Sequence, residues 1–419
     1  MRVSILEMIG AKLDTRRMTL DASARGATVQ PATMPWHSIH AAQNRLSALF
    51  LLNSLNVGGS ETKTVRLANA LTSRGVRTGI ACLNGPEDLR RALRPDVPVW
   101  HLRRTGKFSL TALRTLRALI DEQQPRAAFS VNLYPALYLS LADLGTRRRY
   151  RAIALLNTTI LPAGEAWKKT FYQPFLHRLD RIVYGCERHR HDWATRAIRS
   201  RSSVIYNGVD TEHFAPQAEP ARKIAERAAR AIPRDAFVIG TVGRLAPEKN
   251  QRILIDALSA LREQGVPAHL LLVGDGSERA ALEAYADRTR MTRHVTFAGA
   301  QQDVRALLSI MDVFVLPSTR VETFSNAALE AMAMGLPVVL SRIGGADEMI
   351  RNGVDGYTLC VDALAAALPP LLIALQADER SRALLGRRAR ERVEQHFSFD
   401  AMVNAYQALI AGEDRTGSD

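Results

Sequence analysis

AFVIGTVGRLAPEKNQRILIDALSALREQGVPAHLLLVGDG, Ala236 to Gly276, decides the fold. Its opening run, AFVIGTVGRL, is apolar without strict alternation, the pattern of a strand buried on both faces. A loop containing Pro247 follows. QRILIDALSALREQG, residues 251–265, then places apolar residues at helical spacing and is closed by Gly265. AHLLLVGDG, Ala268 to Gly276, is a second buried-strand run. Strand, helix and strand in that order make a βαβ unit, and such a unit belongs to a parallel sheet flanked by helices.

The alternation continues on both sides. Downstream come SERAALEAYADR as helix, HVTFAG as strand, QDVRALLSIM as helix, VFVLPS as strand, a short helix start over Ala327 to Met334, and PVVLS as strand. Upstream, Arg45 to Leu55 reads as a strand, NVGGSET as a turn, and Thr62 to Ser73 as a helix that stops before Gly75. VRTGIACLN, LTALRTLRALIDEQ, RAAFSVNL, YRAIALLN and RIVYGC then alternate in the same way. VIYNGVDTEHFAP, Val204 to Pro216, carries the Asn-Gly and Pro signals of a connector between the two series. The expected fold class is therefore α/β with two lobes, which suits a chain of 419 residues.

Composition narrows the class further. With 47% hydrophobic and 23% charged residues the chain is an ordinary globular one. Its apolar runs fall short of the roughly 20 residues that span a bilayer. Cys82, Cys186 and Cys360 lie far apart with no CxxC spacing, so neither a disulfide framework nor a zinc site is indicated and a reducing cytoplasm fits. Residues 1–45 lack periodicity and an apolar signal core, and are expected to form a poorly ordered extension. The net charge of +14 is unevenly placed, with +3 in residues 1–45, +14 in residues 46–210 and −3 in residues 211–419. That asymmetry suits an anionic partner, either a nucleic acid or a membrane surface, and equally a solvated Arg-rich face.

Candidate chemistry gathers at loops after strands. Arg244 and Lys249 follow a buried strand and precede a helix, where a planar fork and a mobile point charge together suit the oxygens of a diphosphate. Two surface cations would explain the pair equally if it stood alone. It does not: VETFSNAALEAMAMGLPVV, residues 321–339, brings Glu322 and Glu330 to the carboxyl edge of the same expected sheet. A loop leading into a helix N-terminus is where α/β folds bind anions and sugars. Gly58 and Gly59 would let backbone approach a ligand and present free amides at a helix start. The glycines of LLVGDGSER either border the cleft or make a tight turn. His189 and His191, beside Cys186, fall on a helix with no second ligand cluster, and no metal is expected there.

Taken together, NVGGSE, NGVD, GRLAPEKN, LLVGDGSER, FAGAQQDVRALLSIMDVFVLPS and the Glu322, Glu330 pair resemble the retaining GT-B glycosyltransferases of family 4, the glycosyl transferases group 1 type. The resemblance runs from about Leu46 to Ile410 in motif order. It implies the GT-B architecture, two facing Rossmann-like domains with an inter-domain cleft: an extension over 1–45, an N-terminal acceptor domain over 46–215, a C-terminal donor domain over 216–395, and a C-terminal helix over 396–419 returning toward the first domain. It also implies a nucleotide-sugar substrate, UDP- or GDP-linked, a hydroxyl acceptor of the lipid-linked kind some relatives use, and no cofactor or metal.

By the same resemblance Arg244 and Lys249 match the donor-phosphate cations, and Gly58 and Gly59 the first-lobe loop that closes over the phosphates. Glu330 matches the carboxylate that accepts from ribose hydroxyls, and Glu322 the one beside the transferred sugar. Phe324, Ser325, Asn326 and Ala327 match backbone donors to sugar and phosphate. The catalytic set is Glu322, Arg244 and Lys249. One departure stands out. Where many relatives carry a His after a first-lobe strand, IALLNTTI has Leu156, Asn157 and Thr158.

The expected function is transfer of a sugar to a hydroxyl acceptor in bacterial polysaccharide or glycolipid synthesis. The alternatives are a nucleotide-sugar epimerase of the same fold and a basic nucleic-acid-binding protein. The second is disfavoured because the cations are not interleaved with aromatics, so no nucleic-acid partner is expected. Finally, His101 to Gln123 sets Arg103, Arg104, Lys107, Arg114 and Arg117 around Phe108, Leu110, Leu113, Leu116 and Leu119, as an interfacial helix would, and Arg147, Arg148, Arg149 and Arg151 add charge. The expectation is peripheral contact with an anionic inner membrane. Its rival is an ordinary helix whose leucines face the sheet.

Overall fold

The computed structural model describes residues 45–413 apart from 146, 158–166, 217–219 and 321. The first sheet contains β1 (Ala48–Leu52), β2 (Thr78–Cys82), β3 (Val99–His101), β4 (Ala127–Val131), β5 (Arg151–Leu156), β6 (Arg181–Tyr184) and β7 (Ser202–Val204), in the order β3-β2-β1-β4-β5-β6-β7. Its helices are α1 (Gly59–Ser73), α2 (Leu110–Gln123), α3 (Leu133–Ala142), α4 (Trp167–Leu176), α5 (Glu187–Trp193) and α6 (Arg196–Arg199).

The second unit runs α7 (Pro220–Ala228), β8 (Phe237–Val242), α8 (Arg252–Glu263), β9 (Ala268–Val273), α9 (Arg279–Arg288), β10 (Val295–Gly299), α10 (Arg305–Ser309), β11 (Val313–Leu316), α11 (Asn326–Ala333), β12 (Val338–Ser341), α12 (Ala346–Met349) and β13 (Tyr357–Leu359). Its sheet order is β10-β9-β8-β11-β12-β13. The helices α13 (Leu364–Ala377), α14 (Glu379–His396) and α15 (Phe399–Ala411) end the described chain.

Every strand pair is parallel. Both sheets are therefore doubly wound, and the strand order reverses between β1 and β4 in one and between β8 and β11 in the other. At such a reversal the loops diverge to opposite faces and leave a crevice at the carboxyl ends of the strands. The runs ALFLL and AHLLLV are buried at every position because helices cover both faces of each sheet.

The chain crosses between lobes twice. Tyr206 to Phe214 carries it out, and the junction of α14 and α15 carries it back. There Val209 pairs with Ser398, and a Cβ on Gly208 would fall 2.5 Å from the Ser398 carbonyl, so only glycine fits the crossing. Ser398 then caps α15 by accepting from Ala401 N, and α15 lays Met402, Val403 and Tyr406 into the first-lobe core.

The interfacial reading of α2 is corrected. Ala112, Leu116, Leu119 and Ile120 are buried, and Leu113 packs partly against the same core, so the stripe faces the sheet. Leu110 alone of those leucines is exposed, at 59%. The second Arg run is also elsewhere: Arg147 to Arg149 lie between α3 and β5, at the amino edge of the sheet, whereas Arg103 and Lys107 precede α2 at the carboxyl edge. Arg148 is paired with Asp143 and Asp180. No single helix among the described residues is long and apolar enough to cross a membrane. The extension expected over residues 1–45 lies outside the described residues except for Arg45.

Candidate active site

The two crevices face each other across a cleft of about 760 Å³. Its lining includes Gly58, Gly59, Arg244, Lys249, Glu322, Phe324, Ser325, Asn326, Ala327 and Glu330, so the structure brings all ten candidates from the sequence to one cavity.

On the second-lobe wall, the loop after β8 is held by its neighbours. Leu245 N donates to Asp275 O at 2.9 Å, and Cβ atoms on Gly274 and Gly276 would fall 1.9 Å and 2.2 Å from the carbonyls of Gly243 and Leu245. The glycines of LLVGDG therefore seat this loop from behind. The loop ends in a single turn, Pro247 to Lys249, closed by Asn250 in the left-handed region at φ 53°. Arg244 projects from it, 70% exposed, with Nη2 3.0 Å from Glu248 Oε1. Lys249 turns inward and pairs with Glu322, which also accepts from Ser318 Oγ at 3.3 Å.

Glu322 is fixed from behind as well. Gly344 has φ 53°, and a Cβ there would fall 2.0 Å from the Glu322 carbonyl, while Gly345 N donates to Thr323 O at 2.8 Å. Ser325 then caps α11, its Oγ accepting from Ala328 N at 3.2 Å, which leaves Asn326 and Ala327 at the cleft with the positive end of the helix. The Phe324 ring is buried against Tyr206 and Phe397, and only its backbone serves the cleft. One turn on, the Glu330 carboxylate accepts from Arg66 Nη1 at 3.1 Å across the cleft. Burial raises its pKa above the usual carboxylate range, and Arg66 opposes that.

The first-lobe wall begins at the start of α1, whose N-cap, Gly58, supplies no side chain, while the Glu61 carboxylate folds back over Gly58 and accepts from its own first-turn amide. A Cβ on Gly59 would meet nothing within 4 Å, so that glycine borders open space. Behind it, Asn132 sits at φ 70° and its Oδ1 accepts from Asn157 N at 3.0 Å. The carbonyl of Asn157 in turn accepts from Thr323 Oγ1 at 2.5 Å, a bond between lobes at the position where the resemblance would lead one to expect a His. Thr158 lies outside the described residues. Sequence reasoning missed Lys63, which lines this wall while buried, its pKa pushed down to about 8 by that burial.

Away from the cleft, His189 is buried against Tyr184 and Trp193, and its pKa is lowered to about 4 by burial, while His191 is exposed. Among the described residues no group of three or more His, Cys, Asp or Glu is placed to hold a metal ion.

Two family models cover most of this architecture: Glycosyltransferase Family 4 matches residues 57–213, and Glycosyl transferases group 1 matches residues 236–373. The chain belongs to the group 1 glycosyltransferases. The enzyme is 26% identical to the glycosyltransferase EpsF of Bacillus subtilis, over 87% of this chain and 95% of EpsF. It is 35% identical to the lipopolysaccharide core biosynthesis glycosyltransferase LpsE of Rhizobium meliloti, over 45% of this chain and 54% of LpsE. Its fold matches Anabaena HepE, crystallised with UDP, at a TM-score of 0.76 and 21% identity, covering 87% of this chain and 99% of HepE. Sucrose-phosphate synthase from Thermosynechococcus elongatus matches at 0.74 and 20% identity, covering 88% and 100%. The fold is GT-B, and nothing in these relatives supports the epimerase alternative.

Proposed function

We propose that this glycosyltransferase moves a sugar from a nucleoside-diphosphate sugar to a hydroxyl acceptor, with retention at the anomeric carbon, in synthesis of a bacterial polysaccharide or glycolipid. One observation carries the reading: Arg244, Lys249, Glu322 and Glu330 line one cleft where the crevices of two doubly wound sheets meet. HepE is described in complex with UDP-glucose, and LpsE is named for lipopolysaccharide core synthesis, which supports both halves of the proposal.

The roles follow from where charge changes. As the anomeric C–O bond breaks, negative charge grows on the departing diphosphate, and Arg244, Lys249 and the amides of Asn326 and Ala327 are the donors placed to meet it. The first-lobe loop at Gly58 and Gly59 closes over the phosphates. Glu330 accepts from the ribose hydroxyls while keeping Arg66 as counter-ion. Glu322, held by Lys249 and Ser318, orients the sugar and supports its oxocarbenium character. The acceptor oxygen bonds to the anomeric carbon on the face the diphosphate leaves, and its proton passes to a diphosphate oxygen. The products are glycoside and free nucleoside diphosphate, and no side-chain base is required. The cations of the loop, and no metal ion, neutralise the leaving group.

The test is thermal stabilisation by a panel of UDP- and GDP-sugars, followed by NMR of the product of the donor that binds. A raised melting point with one donor and a retained anomeric configuration are expected. No stabilisation by any member, or an inverted product, would overturn the reading.

The proposal extends to the enzyme's place in the cell, in the cytoplasm and peripheral on the inner membrane. Leu110 and Trp167 are 59% and 56% exposed and begin α2 and α4, which follow β3 and β5 at the carboxyl edge of the first sheet, the edge that faces the cleft at β1 and β4. Exposed Arg103, Lys107, Arg114 and Arg117 surround the first of them. Exposed apolar side chains ringed by cations suit an anionic headgroup layer from which a lipid-linked acceptor would enter.

A further inference from the structure

The cleft contains four cationic side chains, and three of them have carboxylates: Arg66 with Glu330, Arg244 with Glu248 and Lys249 with Glu322. Lys63 has none among the described residues. Its side chain is the most buried of the four, on a residue only 7% exposed, yet Nζ makes one long hydrogen bond, 3.5 Å to Asn157 Oδ1, and otherwise lies 5.7 Å from the centre of the Tyr406 ring. An ammonium has three donors to satisfy, and removing it from water without a counter-ion costs heavily. Glu61, the acid nearest in sequence, directs its carboxylate back over Gly58. Around Lys63 the described residues of the cleft wall are polar and neutral: Ser60, Asn132 and Asn157, with Asn132 Nδ2 3.4 Å from Ser60 Oγ. This is a cationic, acid-poor subsite at the first lobe's strand reversal, opposite the loop that holds Lys249.

We infer that Lys63 reads an anionic oxygen on the substrate other than the donor's diphosphate, so that the enzyme handles an acidic sugar or an acidic acceptor. The inference rests on the proposed glycosyl transfer. The diphosphate already has Arg244, Lys249 and two helix N-termini, whereas among the described residues the wall at Asn132 and Asn157 has no other charge to offer. One chemistry, a carboxylate or phosphate oxygen, could arrive from two sources: the transferred sugar as a uronate, or the acceptor as a phosphorylated or carboxylated hydroxyl compound.

Calorimetry on the full chain separates the sources. UDP, UDP-glucose and UDP-glucuronate, with their GDP counterparts, form the donor arm, and inorganic phosphate titrated onto nucleotide-saturated protein forms the acceptor arm. In the parent protein we expect either a tenfold or greater preference for the uronate donor, or phosphate binding on top of the nucleotide. Lys63→Met should abolish that preference, keep nucleotide affinity within twofold, and melt no lower than the parent, since it removes an unpaired buried charge at nearly constant shape. Lys63→Gln provides the same readout should the Met variant fail to fold. Absence of anion preference in both arms, its survival in the variants, or a tenfold loss of nucleotide binding in them would overturn the inference. Failure of both UDP and GDP to bind would instead count against the glycosyl-transfer reading, and phosphate titrated onto the nucleotide-free protein would still decide the lysine.

Discussion

The two cations of the GRLAPEK loop serve one diphosphate unequally, because Lys249 is held inward by Glu322 whereas Arg244 is mostly in solvent. Replacing either with Ala should lower kcat, each charge-assisted contact to a phosphate being worth roughly 1.5–3 kcal/mol, with Arg244 nearer the lower figure. Steady-state kinetics within twofold of the parent for both would remove them from the reaction. Glu330 should behave differently, since ribose contacts are equal in ground and transition states. Glu330→Gln is expected to raise donor KM about tenfold with kcat nearly unchanged. Its raised pKa sets the pH dependence. The buried carboxylate takes up its proton at a higher pH than an ordinary glutamate, so donor KM should climb early on acidification, and Gln should flatten that limb. The sign for stability is opposite: the charged form is the disfavoured one, so its cost is present above the folded pKa and is relieved as pH falls through it. Gly58, Gly59, Arg244, Lys249, Glu322 and Glu330 were legible because they belong to segments that join a strand to a helix, which local pattern reveals, whereas Phe324, Ser325, Asn326 and Ala327 came from the family resemblance alone. Lys63, Arg66 and Gly344 were not, since each acquires its meaning from another segment: Asn157, Glu330 and the Glu322 backbone respectively.

Among the elements, α15 ties the end of the chain to the first-lobe core. Tyr406 is fully buried, edge-on to Phe129 at 6.2 Å, and its hydroxyl has no hydrogen-bond partner among the described residues. Tyr406→Ala should therefore cost about 3–5 kcal/mol in denaturant unfolding, as large aromatic truncations do. Tyr406→Phe should be neutral or stabilising, because it removes an unsatisfied hydroxyl. A loss above 1 kcal/mol for Phe would show that the hydroxyl is bonded after all. The strands between Leu46 and Ser341 that read as apolar runs stand within a few residues of where the sequence places them, because burial on both faces leaves little ambiguity. Other elements were illegible for physical reasons. β3, β7 and β13 have three residues each, too few to show a period. α3 is apolar nearly all round, and α4 and α13 contain Pro174 and the Pro369, Pro370 pair, which read as breaks. α13 keeps its place through Leu368, Leu372 and Leu375, which pack into the second-lobe core.

The lobes are joined by contacts of two kinds across the whole molecule. Thr323 to Asn157 and Arg66 to Glu330 close the cleft itself. Farther out, Glu348 of α12 accepts from the amides of Glu187 and Arg188 at 2.7 and 2.8 Å and from Tyr206 Oη at 2.9 Å. The charge asymmetry is also a property of the whole, and it predicts that the enzyme sediments with anionic but not neutral liposomes. Binding should weaken at high salt and fall when Arg103, Lys107, Arg114 and Arg117 are changed to Gln. Equal recovery with both lipids would leave the basic lobe as a solvated surface. A last consequence follows from α15. Nearly 200 residues separate β7 from Phe399, a stretch that takes on the order of 10–40 s to synthesise at the usual ribosomal rates. During that interval the first sheet stands with Phe50 and Phe129 lacking the cover of Tyr406, while the second sheet emerges and becomes complete. The lobe that leaves the ribosome first is thus the last to be finished, and a chain stopped short of Phe399 would expose that apolar face to chaperones and proteases.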